Sequence, residues 1–180
     1  MPHRPSQPAT PQPPSVHPDA GAWLQLDRQL CFALYSASLA MTKAYKPLLA
    51  PLGLTYPQYL VMLVLWETDN ATVSQLGDKL TLDSGTLTPL LKRLQAQGLI
   101  SRQRDAADER RVLVQLTPAG RQLREAALAV PQAIACAAQC DLGQISHLAS
   151  QLTGLRHQLN QFPAQSPQAG AATTRPHAQA

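Results

Sequence analysis

The residues of this 180-residue chain best suited to chemistry are its three cysteines, since a thiolate can act as a nucleophile, a metal ligand or a redox centre. Cys31 lies between Leu30 and Phe32, while Cys136 and Cys140 lie four residues apart in an alanine-rich stretch. An odd number of cysteines argues against a secreted disulfide scaffold and favours a reducing cytoplasm. A cysteine on an apolar helix is also commonly a small buried hydrophobe, so a structural Cys31 stays open at this point.

The motifs of the common enzyme classes are missing from the sequence, which has no Gly-rich phosphate loop, no HExxH and no GxSxG. A metal site built from Cys136, Cys140 and His147 would lack a fourth ligand at local spacing. We therefore predict no metal, no other cofactor and no enzymatic activity. A thiol peroxidase is the enzymatic alternative, and it would need a reductant partner for Cys31 that nothing in the sequence suggests.

Two tyrosines, Tyr45 and Tyr56, could hold Cys31 as a thiolate, because a phenol hydroxyl that donates to a thiolate favours its charged form. Tyr45 follows Cys31 by 14 residues, which is about 21 Å along a helix at ~1.5 Å per residue. The two side chains therefore cannot meet within one straight helix. If they act together, they must come from different subunits at a dimer interface.

Apolar residues that recur every three or four positions predict a largely helical fold around these residues. The first helix is predicted from Leu24 to about Leu48, with Pro47 and Pro51 ending it. Capping patterns mark the later helix starts, at Thr55/Gln58, Thr72/Gln75, Asp83 or Ser84, Thr117-Pro118 and Asp141/Gln144.

Two short helices joined by a tight turn, between residues 72 and 98, form the outline of a helix-turn-helix. Pro89 lies inside the second of these helices, where it should remove one backbone hydrogen bond. Residues 99–104 and 112–116 then predict a β-hairpin with a charged tip. The predicted fold class is thus mainly α, a winged helix-turn-helix with flanking N- and C-terminal helices.

The two ends of the chain differ from its centre in composition. Residues 1–22 and 163–180 contain one Val and the initiator Met as their only large apolar side chains, so we predict disordered Pro-rich tails around a folded region at 23–162. The longest apolar run, Tyr59–Trp66, is far shorter than the ~20 residues that span a bilayer, and the N-terminus has no apolar signal region. We predict a cytoplasmic protein without membrane contact.

Basic residues cluster in the predicted winged helix. Seven of them fall between residues 79 and 111, a window with four acids, although the whole chain carries only +4. Hydroxyl side chains that begin the fourth helix suit base edges, basic residues one turn later suit phosphates, and arginines at the hairpin tip suit a minor groove. In that order, these residues are Ser84, Thr86 and Thr88; Lys92 and Arg93; and Arg110 and Arg111. The alternative is an ordinary solvated face.

Four segments resemble the MarR family of dimeric winged-helix regulators: Val73–Leu80, Thr86–Leu94, Gly98–Arg102 and Asp108–Gly120. The resemblance implies a homodimer, built from the first and the last two helices, on an inverted-repeat operator in double-stranded DNA. A leucine-rich stripe at residues 145–159 agrees with such pairing, although it could pack within its own subunit. The implied division is a DNA-binding lobe at 55–117 and dimerisation helices at 23–50 and 118–162.

The pattern around Cys31, with Tyr45 and then Leu54–Tyr59, is similar to one MarR branch, the organic-hydroperoxide-resistance regulators. This resemblance implies that Cys31 senses the peroxide and that Tyr45 and Tyr56 of the partner subunit hydrogen-bond to it. In the two-cysteine subtype, a resolving cysteine in the fifth helix matches Cys136. Cys140 is then a spare resolver or, as we favour, a small apolar filler.

The function implied is a transcriptional repressor that organic hydroperoxide switches off. Oxidised Cys31 would form an intersubunit disulfide with Cys136 and release the operator. One alternative is a MarR-type repressor that responds to a small lipophilic or phenolic ligand, with Cys31 structural. Another is an architectural DNA-binding protein with no sensor.

Overall fold

The computed structural model describes Gly21 and residues 24–162, so the two predicted tails lie outside the described residues apart from Gly21. Within this part, the fold is mainly helical with one small sheet, as the fold-class prediction requires. In chain order, the elements are α1 (Leu30–Leu49), α2 (Tyr56–Glu67), β1 (Ala71–Thr72), α3 (Val73–Leu80), α4 (Ser84–Ala96), β2 (Ile100–Arg104), β3 (Val112–Leu116), α5 (Pro118–Ala127), α6 (Ala129–Ala137) and α7 (Leu142–Gln161).

The predicted capping residues begin their helices. Thr55 with Gln58 and Thr72 with Gln75 form reciprocal capping boxes at α2 and α3, and Asp141 with Gln144 does the same at α7. The Asp83 side chain accepts the Thr86 amide at α4, and Thr117 accepts the Gly120 amide at α5. These bonds satisfy amide donors that the first helical turn leaves unpaired, so local sequence fixes where each helix starts.

The core of the first compact unit, which extends to Val130, lies between α2, α3, α4 and the sheet. Leu87, Leu91 and Leu94 follow helical spacing along α4 and are fully buried, so they form the face by which this helix packs into the core. Val61 and Met62 of α2 are buried in the same cluster. Residues from Pro131 onwards form a second unit, in which no residue of α7 is buried.

The sheet is antiparallel, with the strand order β1-β3-β2. The predicted hairpin is confirmed: β2 and β3 pair from Ile100 opposite Leu116 to Arg104 opposite Val112. The two-residue strand β1 was not expected, because Ala71 and Thr72 are strand only by pairing with Val114 and Leu113.

Side chains from the end of α2 hold the wing strands and α5 together. Asp69 accepts a hydrogen bond from the Leu116 amide at 2.9 Å and forms an ion pair with Arg121. Trp66 Nε1 donates to the Gly120 carbonyl at 2.9 Å. A Cβ on Gly120 would lie 2.0 Å from the Leu99 carbonyl oxygen, so only glycine fits this approach of α5 to the sheet.

Three expectations for the helices need correction. The first helix begins at Leu30 rather than Leu24, after a short 3₁₀ turn at Leu26–Arg28. It runs through Pro47 to Leu49, since proline at this point removes only one bond of the last turn. The predicted fifth helix is broken at Leu128 into α5 and α6, and Pro131 lies in the first turn of α6, where its missing amide costs little.

Among the described residues, no single helix is long and apolar enough to cross a bilayer. One pair, Leu30–Leu52 with Tyr56–Glu67, meets the length and composition test together but is bent by 67°.

Candidate nucleic-acid interface and thiol site

The N-terminal turn of α4 is organised by Asp83. Its Oδ1 accepts the Thr86 amide at 2.9 Å and its Oδ2 accepts the Thr86 hydroxyl at 2.8 Å. These hydrogen bonds lower the pKa of the Asp83 carboxyl, since they favour the charged form. The Thr88 hydroxyl donates to the Ser84 carbonyl at 2.7 Å. The three predicted base-contacting residues therefore share one short surface, and two of their hydroxyls donate within the helix.

Lys92 and Arg93 lie on the exposed side of the same helix, away from the buried leucines. Arg93 carries the basic charge of the last turn of α4, where cations are favoured by the helix dipole. This placement agrees with the predicted contacts to phosphates, because the two side chains extend from the surface that also carries Thr86.

The two arginines of the wing differ in their surroundings. The Arg111 side chain lies 3.7 Å from that of Asp105 across the base of the loop. Its carbonyl accepts the Asp105 amide, and its amide donates to the Asp108 carbonyl, each at 2.9 Å. Arg110 is exposed, and its amide donates to Asp108 Oδ1 at 3.1 Å. The Arg110 guanidinium is therefore exposed at the loop, whereas that of Arg111 lies against Asp105.

A link between the wing and α4 was missed at the sequence level. Arg102 Nε, on β2, donates to Gln95 Oε1, on α4, at 2.7 Å. Because the bond joins two elements that both carry predicted DNA contacts, it fixes the spacing between them. Gln95 and Arg102 lie on different elements on either side of a turn, so no periodic pattern within one element could have identified the bond.

Cys31 is exposed at the second position of α1, and its Sγ lies 4.0 Å from Gln29 Oε1. Tyr45 lies in the last part of the same 20-residue helix. The structure therefore does not bring Cys31 and Tyr45 together along α1, as the helix-length argument requires.

Tyr45 and Tyr56 do meet, with ring centroids 4.6 Å apart across the contact between α1 and α2. Tyr59 completes the cluster, with its centroid 5.9 Å from that of Tyr45. Burial, followed by the charges that Tyr56 and Tyr59 would carry, raises the pKa of Tyr45 to about 12. Burial also raises the pKa of Tyr56. Both phenols stay protonated as hydrogen-bond donors, and Tyr59 is a member that spacing from Cys31 did not reveal.

An open cavity of about 590 Å³ lies beside Tyr56, between the middle of α1 and the start of α2. Its wall is largely apolar, with two lysines on the α1 side. The lining residues are Leu39, Thr42, Lys43, Lys46, Ala50, Leu54, Thr55, Tyr56 and Pro57.

The other two cysteines belong to the second unit, whereas Cys31 belongs to the first. Cys136 is exposed near the end of α6, and the half-buried Cys140 donates from Sγ to the Ala138 carbonyl at 3.2 Å. All three cysteines are free thiols. Within the described residues, no group of three or more His, Cys, Asp or Glu side chains could hold a metal ion.

Comparison with known proteins gives consistent matches. Residues 43–126 match the family described as transcriptional regulator SarA/Rot. The chain is 55% identical over 111 residues to the organic hydroperoxide resistance transcriptional regulator of Bacillus subtilis, covering 62% of this chain and 76% of that protein. It is 47% identical over 135 residues to the HTH-type transcriptional regulator TtmR of Methylorubrum extorquens, covering 75% and 69%.

Solved structures of AbfR, a protein of Staphylococcus epidermidis, have a similar fold. Reduced AbfR bound to DNA is 35% identical with a TM-score of 0.64, over 78% of this chain and 99% of that one. AbfR with a disulfide formed is 37% identical with a TM-score of 0.54, over 76% and 96%.

Proposed function

The chain belongs to the MarR family of winged-helix transcriptional regulators, and we propose that it is a cytoplasmic repressor that organic hydroperoxides switch off through Cys31. It is a regulator and not an enzyme. The observation that carries the proposal is the pairing of Tyr45 with Tyr56, two protonated phenols at a site that Cys31 of the same subunit cannot reach.

The DNA-binding part of the proposal rests on α4 and the wing. Thr86 and Thr88 lie on a helix turn whose cap is fixed, Lys92 and Arg93 follow, and Arg110 extends from the loop. A homodimer would present two copies of this surface to an inverted-repeat operator, with half-sites ~34–36 Å apart. Reduced AbfR, of the same fold, has been solved on DNA, which supports this arrangement.

The sensor part of the proposal requires a second copy of the chain. Exposed Leu30, Tyr35 and Leu39 on α1 leave that helix with apolar surface to cover, and the cavity beside Tyr56 leaves room for a partner segment. In the proposed dimer, Cys31 of one subunit lies against Tyr45 and Tyr56 of its partner. Their hydroxyls would donate to the thiolate and favour its charged form.

The proposed chemistry has two steps. The Cys31 thiolate attacks the terminal oxygen of the hydroperoxide, the O–O bond breaks, and the alkoxide leaves to take up a proton as the alcohol. The Cys31 sulfenic acid then condenses with the Cys136 thiol of the partner subunit, which forms the S–S bond and releases water. Disulfide formation needs Cα atoms within ~7 Å, so a wider reduced spacing would force the helices to shift. Such a shift would re-space the two α4 helices and weaken operator binding.

A DNA mobility shift with reduced protein and with protein treated with cumene hydroperoxide tests the proposal. Treatment should release the DNA from the wild-type protein, and Cys31→Ser should remain bound. Cys140→Ser is the matched control, since that cysteine is not needed in the proposed steps. Continued release in Cys31→Ser would refute peroxide sensing by this residue.

Non-reducing gel electrophoresis tests whether sensing by Cys31 also involves an intersubunit disulfide with Cys136. A covalent dimer that needs both Cys31 and Cys136 supports the intersubunit disulfide. Release of DNA by a Cys136→Ser variant without any covalent dimer would leave Cys31 as the sensor and refute Cys136 as its resolving partner.

The apolar cavity favours one second candidate, a repressor that responds to a lipophilic or phenolic ligand. In that case Cys31 would be structural, and Cys31→Ser would leave the response to the ligand unchanged while the response to peroxide would be absent in both proteins.

A further inference from the structure

A ridge along the outward face of α4 carries little hydrogen-bonding capacity, although the exposed Ser84 hydroxyl lies beside it at the start of the helix. Gly85, Pro89 and Lys92 each lie two residues before a buried leucine, which is about 200° around a helix of 3.6 residues per turn. Glycine has no side chain, and the proline ring has no donor. Only Lys92, at the third position of this ridge, carries a charged group.

The threonines beside this ridge have hydroxyls that already donate elsewhere. Thr86 donates to Asp83 Oδ2 at 2.8 Å, and Thr88 donates to the Ser84 carbonyl at 2.7 Å. With the hydroxyl hydrogen used in this way, each threonine offers DNA its methyl group and the remaining lone pairs of its oxygen.

Gly85 and Pro89 fit this arrangement. A Cβ at Gly85 would lie 3.0 Å from Asp83 Oδ1, so glycine leaves room for the cap that holds Thr86. Pro89 has no amide to donate to the Gly85 carbonyl, a loss that is unfavourable in a helix interior. Its exposed ring places an apolar group at the centre of the ridge, which offers a reason for proline here despite the lost hydrogen bond.

Resting on the proposed function of α4 as the recognition helix, we propose that it reads its operator by apolar contact with thymine C5-methyl groups, through Thr86, Thr88 and Pro89. The thymine methyl is the one apolar group in the major groove, and threonine methyls are suited to contact it. Lys92, Arg93 and Arg110 then supply affinity through phosphates and the minor groove, and the methyl contacts supply sequence preference.

Replacing thymine by uracil tests this directly, because it removes the methyl group and leaves every base-pair hydrogen bond in place. Reduced wild-type protein is first used to select a binding sequence from a random duplex library. The selected duplex is then made with deoxyuridine at one thymidine position at a time. Kd should rise by about fourfold for each contacted methyl that is removed, as expected for one buried CH₂-sized group, and equivalent positions of the two half-sites should respond alike.

The failures of the two proposals are distinguishable. If no sequence is enriched and binding is equal on all duplexes, sequence-specific binding itself is refuted. If a sequence is enriched but no uracil substitution changes Kd, methyl readout alone is refuted. Both results come from wild-type protein, so they do not depend on the folding of a variant.

Two matched substitutions assign the contact to residues. Thr86→Val keeps a methyl and loses the hydroxyl, and should keep the preference for thymine over uracil. Thr86→Ser keeps the hydroxyl and loses the methyl, and should bind both duplexes equally at the position that it contacts. Pro89→Ala should reduce the preference at a different position. The reverse pattern, with preference lost in Thr86→Val and kept in Thr86→Ser, would overturn the proposal in favour of readout by the hydroxyl.

Discussion

The helices α4 and α7 carry leucines at similar spacing, but those of α4 are buried and those of α7 are largely exposed. Leu87, Leu91 and Leu94 of α4 are at most 1% exposed. Leu148 and Leu152 of α7 are 54% and 40% exposed. Periodicity shows where a helix has an apolar face, and burial shows whether its own chain covers that face. The apolar face of α4 is covered within one subunit, whereas α7 has an apolar face that a second copy would cover.

This contrast separates two contributions to stability, contacts within one chain and contacts between two chains. Residues of the lobe should contribute to folding at any protein concentration, because their partners are in the same chain. Residues of α7 should contribute in proportion to the fraction of dimer, because association and folding are then linked.

The largest effect is expected for Leu91→Ala in the α4 core. The loss of a buried leucine should lower the free energy of unfolding by about 3 kcal/mol, through lost apolar burial and the cavity that remains. In urea unfolding this loss should be equal at low and high protein concentration. The matched variant Leu148→Ala should lose its effect on dilution, and a cost independent of concentration would contradict the division.

Leu152→Asp should weaken the dimer by about thirtyfold, or ~2 kcal/mol, because a carboxylate would be desolvated within an apolar contact. Sedimentation equilibrium measures the change. An exposed residue on the opposite side of the helix serves as control, since Ser150→Asp adds the same charge about 180° from the leucine stripe. Equal dimerisation of the two variants would show that the stripe is not the interface.

The capping residues allow a smaller and closer comparison. Thr72→Ala removes the acceptor of the Gln75 amide at α3 and should cost about 1 kcal/mol in thermal unfolding, whereas Thr72→Ser should restore most of it. Asp141→Ala removes the equivalent acceptor at α7. It should have less effect on the melting of the lobe, since no residue of α7 is buried. A larger effect of Asp141→Ala than of Thr72→Ala on thermal unfolding would contradict this division of stability.

The smallest effect concerns pH, at the contact between α1 and α2. The folded-state pKa of Tyr45, about 12, lies above its ordinary value of 10.0. The folded state therefore holds this proton more tightly, and its stabilising contribution is complete below pH 10 and lost as the pH rises towards 12. Phenolate absorbance during an alkaline titration should detect this late ionisation. Tyr45→Phe should remove the contribution of this phenol to the late absorbance change and its share of the pH-dependent stability.

The helix starts could be predicted because their signals are local. The capping pairs at residues 55, 72, 83, 117 and 141 lie within three residues of the amides that they accept, so the sequence displays both partners together. The hairpin was visible for the same reason, since its strands alternate in polarity and are joined by one polar loop.

Other features depend on contacts across a loop or between different elements, which no local pattern displays. The strand β1 is defined by its pairing with β3, and the side chain of Arg111 differs from that of Arg110 because Asp105 lies across the loop. The bond from Arg102 to Gln95 and the position of Tyr59 beside Tyr45 depend on how elements pack. Residue types indicated that α4 and the wing bind DNA and that Tyr45 and Tyr56 act together. They did not indicate which of these side chains are held by contacts with other residues.

The bond from Trp66 to the Gly120 carbonyl has an experimental use. It places one of the two indoles of the chain at the junction of α2 with the start of α5. Indole emission responds to hydrogen bonding and to nearby dipoles, so this residue is a built-in optical probe of that junction. With Trp23→Phe as background, a shift in emission wavelength on oxidation would report movement there in real time, without any attached label.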